Sequence, residues 1–312
     1  MGKLYRRKSG ENMLKVLELF GGIGACSKAL EKLEIPYEIA DYVEIDKYAV
    51  KSFNEIHGTN FEPQDICQWN KNIEVDLIMH GSPCQDFSVG GKQLGGDEGS
   101  GTRSSLMYET IRIVKKLKPK YVIWENVKNL LSKKHRHNFD SYLEIMESLG
   151  YKNYYKVLNA KDYGIPQNRE RVFTISIRND IDKEFVFPEK QELKLKFKDI
   201  LENNVDSYYY KVCNSMKIAL KNGKVKDVTN KDYCNTLTTK QARWNNAGMI
   251  IDNIGLRYIT NREAFRLMGF DDEDFDKASK VNSNTQLYKQ AGNSIVVNVL
   301  ESILKELNIE GE

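Results

Sequence analysis

Short apolar runs alternate, along the first half of the chain, with longer segments in which apolar residues recur at helical spacing. A run of about four to eight apolar or β-branched residues is typical of a buried strand, and the longer segments have the period of an amphipathic helix. This alternation predicts βα units on a parallel sheet. The predicted strands cover residues 16–20, 38–43, 75–79, 121–124, 154–158 and 172–177, and the predicted helices cover residues 25–33, 47–56, 106–117 and 139–149.

The alternation stops after about residue 179. Residues 180–256 show no regular period, and helical period returns at residues 262–268 and again at residues 294–307. We therefore expect a doubly wound, mostly parallel α/β domain that is interrupted by a smaller domain. The predicted division is 1–179, 180–256 and 257–312, with the first and last segments forming one domain.

Positive charge is concentrated in the irregular segment. The whole chain has a formal net charge of only +3, but residues 203–248 contain eight Lys or Arg against three Asp. A solvated surface explains such a run equally well on charge alone. Tyrosines at residues 208–210 and Trp244 lie among the lysines, and this mixture favours a nucleic-acid surface.

Composition excludes several classes of protein. Of the 312 residues 40% are hydrophobic and 29% charged, which is typical of a globular protein and not of a disordered one. No apolar run approaches the roughly 18 residues of a membrane span, and the basic start is not followed by the apolar stretch of a secretory signal. None of the five cysteines forms a Cys-x-x-Cys pair, so we expect no disulfide framework and no metal site, and a reducing, cytoplasmic location.

A glycine-rich turn separates the first predicted strand from the first predicted helix. Residues 20–24 read Phe-Gly-Gly-Ile-Gly, and glycines here let a ligand approach the backbone and the helix start. Glu44, at the end of the second predicted strand, could accept hydrogen bonds from ribose hydroxyls. Because Ser27 stands where a dinucleotide site would have its third glycine, a nucleoside ligand without a pyrophosphate, such as adenosylmethionine, fits better. A tight turn with a surface Glu is the alternative.

Chemically active side chains follow or precede other predicted strands. Cys84 lies just beyond the third strand, at the edge where open α/β sheets bind ligands, and could act as a nucleophile, although most single cysteines are small buried residues. Glu125 lies at the same edge and could supply a proton if burial raises its pKa. Arg169 and Arg171 precede a strand and offer planar donors to a carbonyl oxygen or a phosphate.

Two further segments are predicted to adjoin this edge. Six of the twelve residues at 90–101 are Gly, which predicts a mobile loop beside Cys84 that closes over a substrate, with a surface excursion as the alternative. Residues 290–294, Gln-Ala-Gly-Asn-Ser, are predicted to open the last helix and return to the cofactor pocket.

The order of these blocks resembles that of DNA cytosine-5 methyltransferases of the bacterial restriction-modification or phage type. The similarity runs from Leu17 to Leu300, and it implies a Rossmann-like class I methyltransferase fold in which residues 180–256 form a small target-recognition domain. Two features depart from the family: Gly21 stands where Ala or Ser is more frequent, and the recognition region is short. The matching blocks are residues 20–24, Pro-Cys-Gln at 83–85, Glu-Asn-Val at 125–127, Gln-x-Arg-x-Arg at 167–171, and 290–294.

The resemblance implies a binding site for S-adenosyl-L-methionine. Phe20 would stack on the adenine, Glu44 would hold the ribose, and Asp65 would accept the adenine amino group. The full set of residues that it implies for the cofactor is Phe20, Gly22, Gly24, Glu44, Asp65, Pro83, the backbone near Leu106, and Asn293.

The resemblance also implies a catalytic set. The Cys84 thiolate would attack carbon 6 of cytosine, while Glu125 acts on ring nitrogen 3 and Arg171 holds the exocyclic oxygen. Arg169 would support the active-site loops. This chemistry cannot occur in a stacked duplex, so the cytosine would be flipped out of double-stranded DNA. The residues expected to contact DNA are Gln85, Ser88, Lys92, Thr236 and Arg243, with Thr236-Leu237 resembling the dipeptide that ends the family's recognition region.

Three alternatives remain at this stage. The first is a tRNA cytosine-5 methyltransferase, against which Ser88 and the basic recognition region favour DNA. The second is a non-catalytic DNA-binding relative, and the intact catalytic set argues against it. The third is a nicotinamide-dependent oxidoreductase, which the missing third glycine disfavours. We expect a monomer that does not require a restriction endonuclease as a partner, although one is compatible with this function.

Overall fold

A computed structural model describes residues 13–83, 103–243 and 246–309, and a six-stranded sheet lies at its centre. The strands are β1 (Leu14–Leu19), β2 (Tyr37–Val43), β3 (Leu77–His80), β4 (Tyr121–Val127), β5 (Tyr151–Asn159) and β6 (Glu170–Arg178). Their spatial order is β2-β1-β3-β4-β6-β5. Neighbours from β2 to β4 are parallel, and β6 is antiparallel to both β4 and β5. The predicted mostly parallel sheet is confirmed.

The predicted elements of the first half agree with the structure to within three residues at each end. The α-helices are α1 (Ala25–Lys32), α2 (Lys47–His57), α3 (Met107–Leu117), α4 (Arg136–Ser148), α5 (Asn214–Lys221), α6 (Asn261–Arg266), α7 (Asp272–Ser279), α8 (Asn284–Asn293) and α9 (Val297–Leu307). Short 3-10 helices cover Arg103–Leu106, Lys128–Leu131, Ala160–Tyr163, Phe197–Ile200 and Ser207–Tyr210.

Helices cover both faces of the sheet, because alternate residues of each central strand point to opposite sides. On one side Val16, Met79 and Ile123 belong to an apolar cluster that includes α1, α6 and α9. On the other side Leu17 and Ile78 belong to a separate cluster that includes α3 and α4. The sheet is therefore doubly wound, as predicted, and its carboxyl edge is left free for ligands.

Residues 180–256 are mostly irregular, but they do not pack as one unit. Phe185, Phe197 and Leu237 belong to the same apolar cluster as α1 and α9. A smaller cluster stands apart from it and contains Tyr209, Val212, Met216, Ala219, Val225, Met249 and Tyr258. A hairpin of two short strands, β7 (Ile250–Ile251) and β8 (Leu256–Arg257), borders this smaller cluster.

The last quarter of the chain differs from the prediction. Residues 290–294 do not open the last helix: Asn293 is the final residue of α8 and Ser294 has extended backbone, with φ −67° and ψ 157°. The last helix begins only at Val297. Sequence analysis missed α8 because its ten residues include few apolar ones, so that no helical period was visible.

Candidate active site

An open pocket lies at the carboxyl edge of the sheet. It contains about 420 Å³ of empty space including its mouth, and four separate segments line it. These segments are the end of β1 with the glycine turn and the start of α1, the end of β3, the end of β4, and the junction of α8 and α9. The lining residues are Glu18, Leu19, Phe20, Gly21, Gly22, Ala25, Cys26, Met79, Gly81, Glu125, Asn293, Ser294 and Ile295.

The glycine turn adopts a backbone that ordinary side chains disfavour. Phe20, Gly22 and Gly24 all have positive φ, at 53°, 58° and 81°. At Gly24 a side chain is also excluded by space, since a Cβ there would lie 2.2 Å from Nε2 of His57. At Gly22, by contrast, a Cβ would meet nothing within 4 Å, so open space adjoins the backbone. The turn therefore presents its main chain to the pocket.

Glu44 stands behind the turn. Its carboxylate accepts hydrogen bonds from the N–H of Gly22 at 3.2 Å and from the N–H of Asp46 at 2.8 Å. Burial raises the pKa of Glu44, and these two backbone donors oppose the shift. The N–H of Gln64 donates to the Glu44 carbonyl at 2.9 Å, which brings Asp65 to the same corner of the molecule.

Glu125, which lines the pocket, forms an ion pair with Arg171. Arg171 Nε lies 3.0 Å from Glu125 Oε1, and the two side chains are only 18% and 12% exposed. Arg171 pairs with Val127 across the antiparallel β4 and β6 ladder, so it reaches Glu125 diagonally on the same face. Burial raises the pKa of Glu125, while the guanidinium groups of Arg171 and Arg169 oppose that shift. A largely buried carboxyl group and a planar cation are thus held side by side.

The chain that leads to Cys84 is fastened to β4. Trp124 Nε1 donates to the Ser82 hydroxyl at 2.9 Å, and the Asn126 amide donates to the Ser82 carbonyl at 3.3 Å. A Cβ placed on Gly81 would lie 3.9 Å from Glu125 Oε2. The described chain therefore runs beside Glu125 up to Pro83, one residue before Cys84. Cys84 itself, Gln85, Ser88, Lys92 and the glycine-rich segment 90–101 lie outside the described residues.

Arg169 does not line this pocket. Its buried guanidinium donates three hydrogen bonds of 3.0 Å to backbone carbonyls, those of Leu237, Gly292 and Ser294. These carbonyls belong to the irregular region and to the end of α8. Arg169 therefore joins three parts of the chain that are distant in sequence.

Comparison of the sequence with known protein families identifies the family of this chain. The sequence pattern of the family described as C-5 cytosine-specific DNA methylase matches residues 14–308. The chain belongs to this family. The Type II methyltransferase M2.ScrFI of Lactococcus lactis subsp. cremoris is 38% identical, with 95% of this chain and 99% of that protein covered. The Type II methyltransferase M.HhaI of Haemophilus parahaemolyticus is 34% identical, with 93% of each covered.

A solved structure supports the fold of this methyltransferase. The Dnmt2 methyltransferase of S. pombe matches with a TM-score of 0.76 at 23% identity, covering 95% of this chain and 100% of that one. The resemblance inferred from sequence is confirmed, and the protein is an S-adenosylmethionine-dependent DNA cytosine-5 methyltransferase. The nicotinamide-dependent alternative is wrong. Among the described residues, no helix has the length and apolar character needed to cross a membrane.

The structure brings only part of the predicted cofactor set of the methyltransferase to the pocket wall. Phe20, Gly22 and Asn293 line the pocket, and Glu44 bonds to Gly22 from behind. Four residues of the predicted set are not among the lining residues found in the described part of the chain: Gly24, Asp65, Pro83 and Leu106. Their roles, like those of the catalytic residues, stay predictions.

In the predicted DNA-contacting region of the methyltransferase, the basic side chains are exposed but not all of the tyrosines are. Arg243 and the Lys side chains of residues 203–248 are exposed, and the Thr236 hydroxyl donates to the Asn168 carbonyl at 2.7 Å. The tyrosines differ from the expectation, because Tyr209 is buried and the Tyr210 hydroxyl donates to Asp252 at 2.8 Å. Trp244 lies outside the described residues.

Sequence reasoning missed several residues that shape this pocket. Glu18, buried at its floor, accepts hydrogen bonds from the backbone N–H of Ser27, at 3.0 Å, and from its hydroxyl. Burial raises the pKa of Glu18 to about 7. The side chain of Gln167 accepts from the N–H of Leu237 and donates to the Leu267 carbonyl. The alternation of side chains along the first strand could have indicated Glu18. It is adjacent to Leu19 in the sequence, so the two side chains point to opposite faces of the sheet.

Proposed function

We propose that the pocket holds S-adenosylmethionine beside a flipped cytosine, and that Cys84, Glu125 and Arg171 carry out the transfer. The observation that carries this proposal is the position of Glu125. It lines the same pocket as Phe20, Gly22 and Asn293, and it is paired with Arg171. A proton donor for a base therefore adjoins the predicted nucleoside site in one cavity.

The residues at the glycine turn fit S-adenosylmethionine. Phe20 offers an aromatic face for the adenine, and the open space beside Gly22 admits a ligand close to the backbone. Glu44 supplies a partly buried acceptor for ribose hydroxyls, Asp65 an acceptor for the adenine amino group, and Asn293 a polar side chain at the pocket wall. When bound, this cofactor supplies an electrophilic methyl group, which the activated carbon 5 takes up. We assign Gly24, Pro83 and Leu106 to the framework that supports this site.

The catalytic residues solve the low nucleophilicity of carbon 5. The Cys84 thiolate adds to carbon 6, and the electron pair of the ring moves onto nitrogen 3, which Glu125 protonates. Arg171 holds the exocyclic oxygen and stabilises its negative charge. After carbon 5 has gained the methyl group, a base removes the carbon 5 proton and the thiolate departs from carbon 6. Nitrogen 3 returns its proton to Glu125, and the aromatic ring is restored. Burial raises the pKa of Glu125, which favours its protonated form and supports a proton-donating role.

Arg169 is a positioning residue in this proposal. Its three carbonyl contacts hold Leu237 and the end of α8 against the start of β6, which carries Arg171. Removing this guanidinium would free the walls of the pocket without removing a group that touches the reacting base.

We assign double-stranded DNA binding to residues 180–256, with residues 1–179 and 257–312 as the catalytic part. The exposed basic side chains of residues 203–248 support this assignment, because Lys and Arg neutralise backbone phosphates. Within it, the separate apolar cluster around Met216 marks the part that forms a small unit of its own. Gln85, Ser88, Lys92, Thr236 and Arg243 are the proposed DNA contacts. A monomer suffices, with no need for an endonuclease partner.

Methyl transfer to nucleic acid tests the proposal directly. We expect labelled methyl to pass from S-adenosylmethionine to duplex DNA and not to tRNA, and DNA with 5-fluorocytosine at the target site to trap the protein covalently. Trapping must disappear in Cys84→Ala, whereas Cys213→Ala serves as a matched control on an exposed thiol and should trap normally. Transfer to tRNA alone, or a covalent complex that survives Cys84→Ala, would contradict the proposal.

A further inference from the structure

Two side chains at the end of β2 hold the peptide groups of Gly22: Tyr42 belongs to the strand, and Glu44 lies one residue beyond it. The Tyr42 hydroxyl donates a hydrogen bond to the Gly22 carbonyl at 2.6 Å, and the Gly22 N–H donates to Glu44 at 3.2 Å. Neighbouring residues of one segment therefore fix both polar groups of the glycine that adjoins the pocket.

The Tyr42 ring has no freedom to move. It is fully buried and stacks on Phe53, with ring centroids 3.8 Å apart and an interplanar angle of 23°. Phe61 packs against the same ring at a centroid distance of 5.7 Å. Burial, together with the nearby carboxylates of Glu44 and Glu18, raises the pKa of Tyr42, so its hydroxyl keeps the proton that it donates.

Gly21 lies where this ring meets the turn. A Cβ on Gly21 would stand 2.6 Å from Cε2 and 2.8 Å from Cδ2 of Tyr42, which is closer than atoms can pack. Gly21 is not among the residues with positive φ, so its backbone conformation does not require glycine. The requirement for glycine comes chiefly from the neighbouring ring, with Cβ of Glu18 at 3.1 Å as a further close neighbour.

We propose that Tyr42 is a positioning residue for S-adenosylmethionine binding, and that Gly21 is the glycine that its ring demands. Tyr42 turns the Gly22 carbonyl away from the pocket, and the buried ring sets the path of the turn that carries Phe20 and Gly22. This inference rests on the proposed cofactor site at residues 20–24. It adds a pair of residues that act on the ligand only through the backbone.

Tyr42→Phe isolates the hydroxyl, because it keeps the ring, its stacking on Phe53 and its volume. Loss of one hydrogen bond to a backbone carbonyl predicts a rise of about two- to tenfold in the dissociation constant for S-adenosylmethionine. Calorimetric titration without DNA measures it, and kcat at saturating cofactor should not change. Tyr208→Phe, on an exposed tyrosine, is the matched control. An unchanged dissociation constant in Tyr42→Phe would overturn the role of the hydroxyl.

A double-substitution cycle tests the pairing of Gly21 with the ring. Gly21→Ala should weaken cofactor binding by about tenfold or more in the wild-type and Tyr42→Phe backgrounds, because both keep the ring. In the Tyr42→Ala background, where the clashing atoms are gone, the same substitution should change binding by less than about threefold. An equal loss in all three backgrounds would refute the pairing. Cofactor affinity is compared only among variants whose melting curves remain cooperative.

Phe20→Ala separates this inference from the function on which it rests. If Phe20→Ala leaves the dissociation constant for S-adenosylmethionine unchanged, the proposed cofactor site is wrong. If Phe20→Ala weakens binding and Tyr42→Phe does not, the site stands and only the positioning role of Tyr42 fails.

Discussion

The proposed cofactor turn and the proposed recognition region would both present groups to a ligand, but they are built in opposite ways. At the turn, three side chains bind backbone groups: Tyr42 the Gly22 carbonyl, Glu44 the Gly22 N–H and His57 the Ile23 carbonyl. In residues 203–248 the basic side chains are exposed and stand on irregular backbone around a small apolar cluster. A turn that binds one invariant ligand can be rigid, whereas a surface that follows a long polyanion depends on charge and reach.

Arg169 and Gln167 connect the two regions. They bind the backbone of Leu237 on one side, and the ends of α8 and α6 on the other. These buried polar contacts add to the apolar packing of Phe185, Phe197 and Leu237 in holding residues 180–256 against the rest of the chain.

Glu125→Gln should produce the largest effect. The amide keeps the size of the side chain and can contact the ring, but it cannot deliver a proton to nitrogen 3. Loss of general acid catalysis predicts a fall in kcat of about 100- to 10,000-fold, with little change in the dissociation constant for S-adenosylmethionine. Single-turnover methylation and calorimetric titration measure the two quantities. Equal losses in both would remove Glu125 from its catalytic role.

Arg169→Met should have the next largest effect, through stability. The substitution keeps an apolar stem but leaves the carbonyls of Leu237, Gly292 and Ser294 without their buried donor. We expect the free energy of unfolding to fall by about 3 to 5 kcal/mol, since each unsatisfied buried group costs about 1 to 3 kcal/mol and the region can relax in part.

The control for Arg169→Met is Arg243→Met, which removes an exposed guanidinium from the recognition region. This control should change the free energy of unfolding by no more than about 0.5 kcal/mol. Urea unfolding of both variants gives the comparison. A similar small change in Arg169→Met would show that the connection between the regions does not depend on this residue.

Sequence reasoning predicted the strands and helices around the pocket better than the rest, for a physical reason. Strand and helix periods are local, and the glycine turn, Glu44 and Glu125 all lie next to strands whose apolar runs are visible in the sequence. Gly21 shows the limit of this approach. From sequence it is only a tolerable departure from Ala or Ser, because the ring that excludes a Cβ belongs to a residue 21 positions away.

The recognition side shows a different limit. The eight basic residues could be counted, but burial of Tyr209 and the bond from Tyr210 to Asp252 depend on tertiary packing that no local pattern encodes. The same holds for the end of α8, where a polar helix with few apolar residues was mistaken for the start of the next one. The elements around the pocket were therefore more predictable than either the irregular region or the closing helices.

Substitution of Glu18, which lines the pocket, should have an intermediate effect on the pH dependence of the free energy of unfolding. Burial raises its pKa from 4.5 to about 7, so the folded state binds a proton more tightly than the unfolded state does. Its contribution to stability is fully present below about pH 4.5 and is lost as the pH rises through 7. The whole contribution is about 3 kcal/mol. Glu18→Gln, which cannot ionise, should flatten this part of the pH dependence.

Urea unfolding of the wild type and of Glu18→Gln at pH 5 and pH 8 measures the difference. Ser27→Ala is a useful companion, because it removes a donor that opposes the shift and should steepen the dependence. Identical pH dependence in the wild type and in Glu18→Gln would show that Glu18 is not the titrating group.

Substitution of Lys217 or Lys221 should have the smallest effect, on DNA affinity and its dependence on salt. Both side chains are exposed on α5, one helical turn apart, so they can meet the same stretch of phosphates. If each lysine contacts one phosphate, its replacement by Ala should reduce the slope of log affinity against log salt by about 0.9 and leave cofactor affinity unchanged. Lys115→Ala, exposed in the last turn of α3, is the control and should leave the slope unaltered. An unaltered slope in the Lys217 and Lys221 variants would move the DNA away from α5, and the recognition surface would have to be sought nearer Thr236 and Arg243.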